Sequence, residues 1–197
     1  MKLLIASNNS GKIQEFATLF QEQGIELCSL ADFNIVSPPE TATTFAGNAL
    51  IKAQHGATSS GLITISDDSG FEVAALDNAP SVYSARWANG NYPQAFHKIQ
   101  TLLGKSWQSH GEASFQCVLC LYFLSGEYQF FSGSCKGKVT FPSKGNNGFG
   151  YDSIFIPQGA NKTFAEMLPE EKAKYSHRAK ALAKLHSYLQ QHPLSSQ

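Results

Sequence analysis

The sequence predicts an α/β fold, a mixed sheet with flanking helices, on three observations. Short apolar runs at Leu3–Ala6 and Leu62–Ile65 alternate with segments of helical spacing, the order expected of an α/β chain. Two long segments rich in β-formers, Ala113–Leu124 and Glu127–Phe141, meet at Ser125-Gly126 and predict an antiparallel hairpin in the same sheet. The chain has 197 residues, 42% of them apolar and only 15% charged. That is enough to bury a core without metal or disulfide staples, and one domain over residues 1–197 is expected.

The elements follow in order. Leu3–Ala6 ends in Ser7-Asn8-Asn9-Ser10-Gly11, a buried strand running into a polar loop. Ile13, Phe16, Ala17 and Phe20 share a helical face, and Gly24 closes that helix. Ile25–Leu30 is a second strand. Pro38-Pro39-Glu40 is a loop, and Thr44 caps a helix carrying Phe45, Ala49, Lys52 and Ala53 that stops near Gly61. Leu62–Ile65 is a strand, Asp67-Asp68-Ser69-Gly70 interrupts it, and Phe71–Leu76 continues as another. Pro93 starts a helix with the stripe Phe96, Ile99, Leu102 and Leu103. After the hairpin come the Lys144–Gly150 loop and a short strand at Ile154–Ile156. Thr163-Phe164-Ala165-Glu166 fits a capping box, Pro169 opens one helix, and Ser176 caps the last, whose stripe is Leu182, Leu185 and Leu189.

Composition excludes several classes of function. The formal net charge is +0, too little basic surface to cover a nucleic acid polymer. No stretch is long and apolar enough to span a bilayer, and Met1–Ser10 lacks the pattern of a secretory signal, so a cytoplasmic location away from membranes is expected. Cys117 and Cys120 form a C-x-x-C, but they lie in a strand, where positions three apart face opposite sides. They are therefore read as core rather than as a metal or redox pair.

Four constellations carry chemistry. Ser7-Asn8-Asn9-Ser10-Gly11-Lys12 joins a strand to a helix, a place where backbone N–H groups and the helix dipole receive an anion. Lys12 there opposes the dipole by a few tenths of a kcal/mol up to about 1 kcal/mol, a sign that an anionic ligand would reverse. The pattern is not a P-loop, and an ordinary strand–turn–helix corner fits it equally well. Asp67-Asp68 follows a buried strand, where neighbouring carboxylates repel and a cation relieves them. Mg²⁺ takes one or two carboxylates plus phosphates, and Glu40 is the second candidate donor; a local Asp/Ser turn is the alternative. Gly145–Asp152 surrounds Phe149 and Tyr151 with flexible backbone, a base-stacking arrangement with Asp152 as acceptor, or else a hairpin loop covering core. Lys172, His177 and Arg178 sit at a helix junction, either converging on one pocket or forming a solvated face.

Taken together these residues resemble the inosine/xanthosine triphosphate pyrophosphatase family, the Ham1-like enzymes. The resemblance runs in order through Ser7-Asn-Asn-x-Gly-Lys12, Glu40-Thr41-x-x-Thr44-Phe45 with Asn48-Ala49, and Asp67-Asp68-Ser69-Gly70. It continues through Ala79-Pro80 with Tyr83-Ser84-Ala85-Arg86, Gly148-Phe-Gly-Tyr-Asp152, and Glu171-Lys172 with Ser176-His177-Arg178. It implies two lobes around a central substrate cleft, a homodimer, and Mg²⁺-dependent hydrolysis of ITP, dITP and XTP to monophosphate and pyrophosphate. By the same resemblance Ser7, Asn8, Asn9, Ser10, Gly11 and Lys12 hold phosphates. Asp68 is proton acceptor and metal ligand, Glu40 is a metal ligand, and Ser69 touches substrate. Phe149, Gly150, Tyr151, Asp152, Lys172, His177 and Arg178 hold substrate, mostly the base. The sequence departs from the family at Gly47, where Glu is frequent, at Ser81, where Gly is usual, and at Ser153, where Pro is common. The nearest rival readings are the same reaction on other altered nucleotides, or a nucleotide-sensing module that does not cleave.

Overall fold

The structure is a computed structural model that describes residues 1–7, 12, 13, 16, 17, 20 and 24–194. Asn8 to Gly11 lie outside the described residues, and so does much of the first expected helix; Lys12, Ile13, Phe16, Ala17 and Phe20 have helical backbone. The chain divides into two compact units, each assembled from separate segments. Unit 1 comprises Met1–Asp68, Cys117–Ser132 and Lys180–Gln197, and unit 2 comprises Ser69–Gln116 and Gly133–Ala179.

In unit 1, β1 (Lys2–Ile5) pairs in parallel with β2 (Glu26–Ser29) and with β3 (Thr64–Val73). The hydrogen-bonded path continues through β5 (Glu112–Tyr122) to β6 (Tyr128–Val139). One face of these strands is sealed by Leu3, Ile5, Phe16, Phe20, Ile65, Leu119, Leu121, Ala181 and Leu185. The other receives α1 (Phe45–Ser60) through Ala49, Ala53 and Cys120. Thr44 caps α1 as expected, its hydroxyl accepting from the Gly47 N–H at 3.1 Å, and Gly61 ends it in the left-handed conformation. Gly56 lets α1 lie close on the sheet: a Cβ there would meet Leu4 Cδ2 and Thr64 Cγ2 at 2.9 Å each. This close seat matters because α1 carries two of the polar groups described below.

In unit 2 the path runs β3, β5, β6 and β7 (Phe155–Pro157), with β4 (Pro80–Ser81) antiparallel to β3 and β7 antiparallel to β6. Parallel and antiparallel pairs together make the mixed sheet that the sequence predicts. The helices of this unit are α2 (Ser84–Ala88), α3 (Tyr92–Leu103), α4 (Trp107–His110) and α5 (Pro169–Ala173). Its core is aromatic: Phe71 stacks on Tyr151 at 4.9 Å, and Phe115 packs edge-on against Phe155 at 5.0 Å. The last helix, α6 (His177–Gln191), starts in unit 2, where the Ser176 hydroxyl accepts from the Ala179 N–H, and continues into unit 1. The expected capping box at Thr163 and Glu166 is present, although it opens only the 3₁₀ turn Phe164–Glu166.

Two expectations are corrected. Asp67-Asp68-Ser69-Gly70 does not interrupt the strand; β3 runs unbroken through it and ends at Val73, where a 3₁₀ turn follows. Of the expected stripe of α3, Ile99 and Leu103 are buried with Ala95 and Phe96 packs half-buried on the same core, whereas Leu102 is exposed, because the helix turns it away from the aromatic core. The strand reading of the C-x-x-C holds: Cys117 and Cys120 are both buried, in different apolar clusters. Among the described residues no helix is long and apolar enough to cross a membrane.

Candidate active site

The continuity of β3 decides the geometry of the acidic pair. Successive strand residues point to opposite faces, so Asp67 and Asp68 diverge instead of sharing one ion. Ser66 and Asp68 face α1: the Ser66 hydroxyl donates to the Ala49 carbonyl at 2.5 Å, and the Asn48 amide donates to Asp68 Oδ2 at 3.2 Å. Asn48 is fixed in turn, since its Oδ1 accepts from the Ala42 N–H at 2.9 Å. One turn further along α1, Lys52 places its ammonium 3.1 Å from Asp68 Oδ1 and 2.6 Å from Glu40 Oε1. The Lys52 and Asp68 side chains are only 11% and 8% exposed. Burial pushes the Asp68 carboxyl above the usual aspartate range and Glu40 adds to the rise, while the Lys52 ammonium opposes it. Burial works against the Lys52 charge, but Asp68, Asp67 and Glu40 together outweigh it and hold the ammonium above its ordinary value.

Two carboxylates from distant segments thus converge on one cationic atom, and this is the test of fit for a divalent ion. Mg²⁺ is held by one or two carboxylates with phosphates and water completing its shell, and Glu40 with Asp68 is a donor set of that kind. Among the described residues no group of three or more His, Cys, Asp or Glu comes together.

Asp67 faces the other side of β3 and pairs with Lys12 at 2.8 Å, its side chain 1% exposed. The anion expected beside the Lys12 ammonium at the start of its helix is thus supplied by the protein itself. Ser7 closes β1, its N–H donating to the Ile5 carbonyl, while the Ala6 N–H donates to the Ile65 carbonyl of β3. Ser69 follows Asp68 in β3 and is partly buried. Asn8, Asn9, Ser10 and Gly11 lie outside the described residues.

In unit 2 the Gly148–Asp152 loop is closed on itself. Asp152 Oδ2 accepts from the Phe149 N–H at 2.8 Å and from the Lys172 ammonium at 2.6 Å. Gly148 has φ +73°, and a Cβ there would collide with Asp152 Oδ2, so the turn requires glycine. Phe149 is 51% exposed, with the Lys172 ammonium 5.4 Å from its ring centre. Tyr151 behaves differently. Its ring is buried on Phe71, its hydroxyl donates to the Ser84 carbonyl at 2.9 Å, and burial raises its pKa. Only its backbone remains to meet a ligand. His177 and Arg178 open α6 and are 6% and 4% exposed; the imidazole stacks on Phe115 at 4.9 Å.

Sequence reasoning singled out Glu40 and Asp68 as donors; it placed Lys52 in the helical register of Phe45, Ala49 and Ala53 and Asn48 in the family motif, and gave neither a role at the site. The signals that point to Lys52 are a charged residue in register with apolar Phe45, Ala49 and Ala53 and its place four residues after Asn48, on the same helical face. Ser84 was likewise missed as a junction: its hydroxyl donates to the Ser81 carbonyl at 2.6 Å and accepts from the Phe71 N–H at 2.8 Å. Ser81, in place of the usual Gly, keeps the left-handed conformation at φ +50°.

The model of the Ham1 family matches residues 3–188. A dITP/XTP pyrophosphatase of Gluconobacter oxydans is 44% identical, covering 92% of this chain and 87% of that protein. One from Ruegeria pomeroyi is 43% identical over 92% of each. Among solved structures, the Staphylococcus aureus Ham1 protein superposes with a TM-score of 0.90 at 33% identity, covering 98% of this chain and 100% of that one. A nucleoside-triphosphatase/dITP/XTP pyrophosphatase from Mycobacterium abscessus gives 0.81 at 40% identity, over 94% and 98%. With these motifs in this order on this fold, the chain belongs to the Ham1 family.

Proposed function

We propose that this chain is a single-domain pyrophosphatase that hydrolyses the deaminated purine nucleoside triphosphates ITP, dITP and XTP, with Mg²⁺, to monophosphate and pyrophosphate. The observation that carries the reading is the convergence of Glu40 and the nearly buried Asp68 on one cationic atom, the Lys52 ammonium. The relatives' names give the substrate class.

Glu40 and Asp68 would hold the ion, which supplies charge neutralisation at the triphosphate. Lys12 and the backbone of residues 7–12 hold phosphate oxygens, and Ser69 adds a hydroxyl beside them. Water adds across the anhydride between the α- and β-phosphates. The P–O bond breaks, the new P–O bond forms, and Asp68 takes the proton of the attacking water. Burial makes Asp68 a stronger base than an exposed aspartate, while the Asn48 and Lys52 contacts fix its orientation. Such chemistry needs chiefly positioning and electrostatic stabilisation, and α1 and β3, packed closely through Gly56 and Ala49, carry the groups concerned.

By the family resemblance, the Gly148–Asp152 loop with Lys172, His177 and Arg178 contacts the base. Exposed Phe149 stacks on the ring, Gly150 and Tyr151 contribute backbone, and Asp152, tethered through Oδ2, accepts from a base N–H. Lys172 fixes Asp152, and Arg178 with His177 donates to the C6 carbonyl that distinguishes hypoxanthine and xanthine from adenine. A donor stranded by the adenine amine is a strong rejection. The working form is a cytoplasmic homodimer.

Asp68→Asn tests the assignment. It keeps the size and the Asn48 contact but removes charge and basicity. Turnover of ITP is expected to collapse while the protein stays folded and still binds nucleotide. Near-native turnover would refute the role.

A further inference from the structure

Asp67 and Asp68 are adjacent in sequence and face opposite sides of β3. We propose that Asp67 is a positioning residue for Lys12 and not a second metal ligand, so that the acidic pair serves two separate cations. The inference deepens the reading above and rests on it.

Three observations support it. Asp68 and Ser66 make their contacts on α1, whereas Asp67 reaches Lys12 at 2.8 Å from the other face of the strand. An ion taking both carboxylates would have to reach around the strand backbone. The two partners also differ in access: the Asp67 side chain is 1% exposed and the Lys12 side chain 17%. The carboxylate is fixed inside the protein while the ammonium keeps a face toward its surroundings. Finally, an ammonium carries three donors. The ion pair with Asp67 engages the ammonium from one side at 2.8 Å, and a cation can meet a carboxylate and phosphate oxygens together, so the ion pair and a bound triphosphate are compatible. Asp67 thereby holds in place a lysine that stands against its own helix dipole, and phosphates meet a cation already aimed.

The test uses the full chain, with Mn²⁺ as the metal probe (followed by EPR) and inorganic tripolyphosphate with Mg²⁺ as the phosphate probe (followed by calorimetry). Asp67→Asn is expected to leave Mn²⁺ affinity within about twofold of wild type and to weaken tripolyphosphate about tenfold to a hundredfold, the range for a misplaced contact. With ITP the loss appears mainly in KM and not in kcat. Adding Lys12→Ala to Asp67→Asn should make tripolyphosphate binding no weaker than Lys12→Ala alone, since both remove one interaction. A loss of Mn²⁺ affinity of about tenfold or more would make Asp67 a metal ligand and overturn the proposal. Unchanged tripolyphosphate binding, or additive losses with Lys12→Ala, would overturn it too. Should Asp67→Asn fail to fold, Lys12→Met/Asp67→Asn is compared with Lys12→Met: equal affinities for both probes support the pairing, and a tenfold drop for Mn²⁺ refutes it. Asp68→Asn is the control for the underlying reading. If it leaves Mn²⁺ binding intact, the metal assignment fails, and the tripolyphosphate results still judge Asp67 by themselves.

Discussion

Replacing Lys52 with Met keeps the length of the side chain and removes the one ammonium that touches both Glu40 and Asp68, at 2.6 and 3.1 Å. In the metal-free protein this leaves a nearly buried carboxylate, 8% exposed, with the Asn48 amide but without its counter-charge, beside a second carboxylate that is 34% exposed. Breaking a buried pair from one side costs roughly 3–5 kcal/mol. Partial hydration of Glu40, and protonation of Asp68 as an escape, bring the expected loss to the lower end, about 3 kcal/mol. For a chain of this size that corresponds to a fall in Tm of roughly 6–12 °C. The assay is thermal unfolding of wild type and Lys52→Met, each with EDTA and with Mg²⁺. Because Mg²⁺ at Glu40 and Asp68 restores positive charge at the same place, it should stabilise the variant by several degrees more than it stabilises wild type. Equal gains from Mg²⁺ in the two proteins would refute the claim that these carboxylates form a cation site.

Other outcomes follow from the same geometry. Phe149→Ala should lose efficiency on every nucleotide, by about 1–3 kcal/mol for a lost stack, and keep the ratio of ITP to ATP. Arg178→Ala should narrow that ratio, and kcat/KM for both substrates in both variants separates the two roles. Ser81→Gly should stabilise the protein by about 0.5–1 kcal/mol by relieving a non-glycine residue at φ +50°, less whatever the Ser81–Glu72 hydrogen bond at 3.1 Å contributes; chemical denaturation measures the sum, and a net loss would mean the hydrogen bond dominates. Burial raises the Asp68 pKa in the metal-free protein, so the folded state keeps this proton to higher pH than the unfolded chain does. Its contribution to stability is full below the ordinary aspartate range and is lost as pH rises through the raised value. Carboxyl NMR titration should show that value fall when Mg²⁺ is added, and no change would argue against Asp68 as a ligand.

The parts of the fold that were legible in the sequence are those decided by local chemistry. Thr44 and Gly61 bound α1, Pro169 opens α5, and Thr163 with Glu166 forms its box, because caps and turns depend on a few adjacent residues. The continuity of β3 was not legible. Ser-Asp-Asp-Ser-Gly favours a turn by its own hydrogen bonding, and it stays extended because Ala49, Asn48, Lys52 and Lys12 satisfy its side chains from elsewhere in the chain. The same cause hid the partners of Lys52, whose register with the apolar residues of α1 was readable but whose pairing with Glu40 and Asp68 depends on distant segments. Tyr151 shows the converse: its place in the Gly-Phe-Gly-Tyr-Asp motif suggests a ligand contact, yet the ring goes to the core that holds the loop. At the candidate site the residue types were readable, and their division between the two faces of one strand was not.

The central claim is that a Mg²⁺-dependent carboxylate site cleaves deaminated purine triphosphates between the α- and β-phosphates. It is tested most directly by measuring pyrophosphate release from ITP, XTP, dITP, ATP, GTP and dTTP, with Mg²⁺ and with EDTA. The expected result is pyrophosphate and monophosphate from ITP, XTP and dITP only in the presence of the metal, with kcat/KM at least about a hundredfold above that for ATP. Release of orthophosphate, turnover that survives EDTA, or ATP cleaved as efficiently as ITP would contradict it.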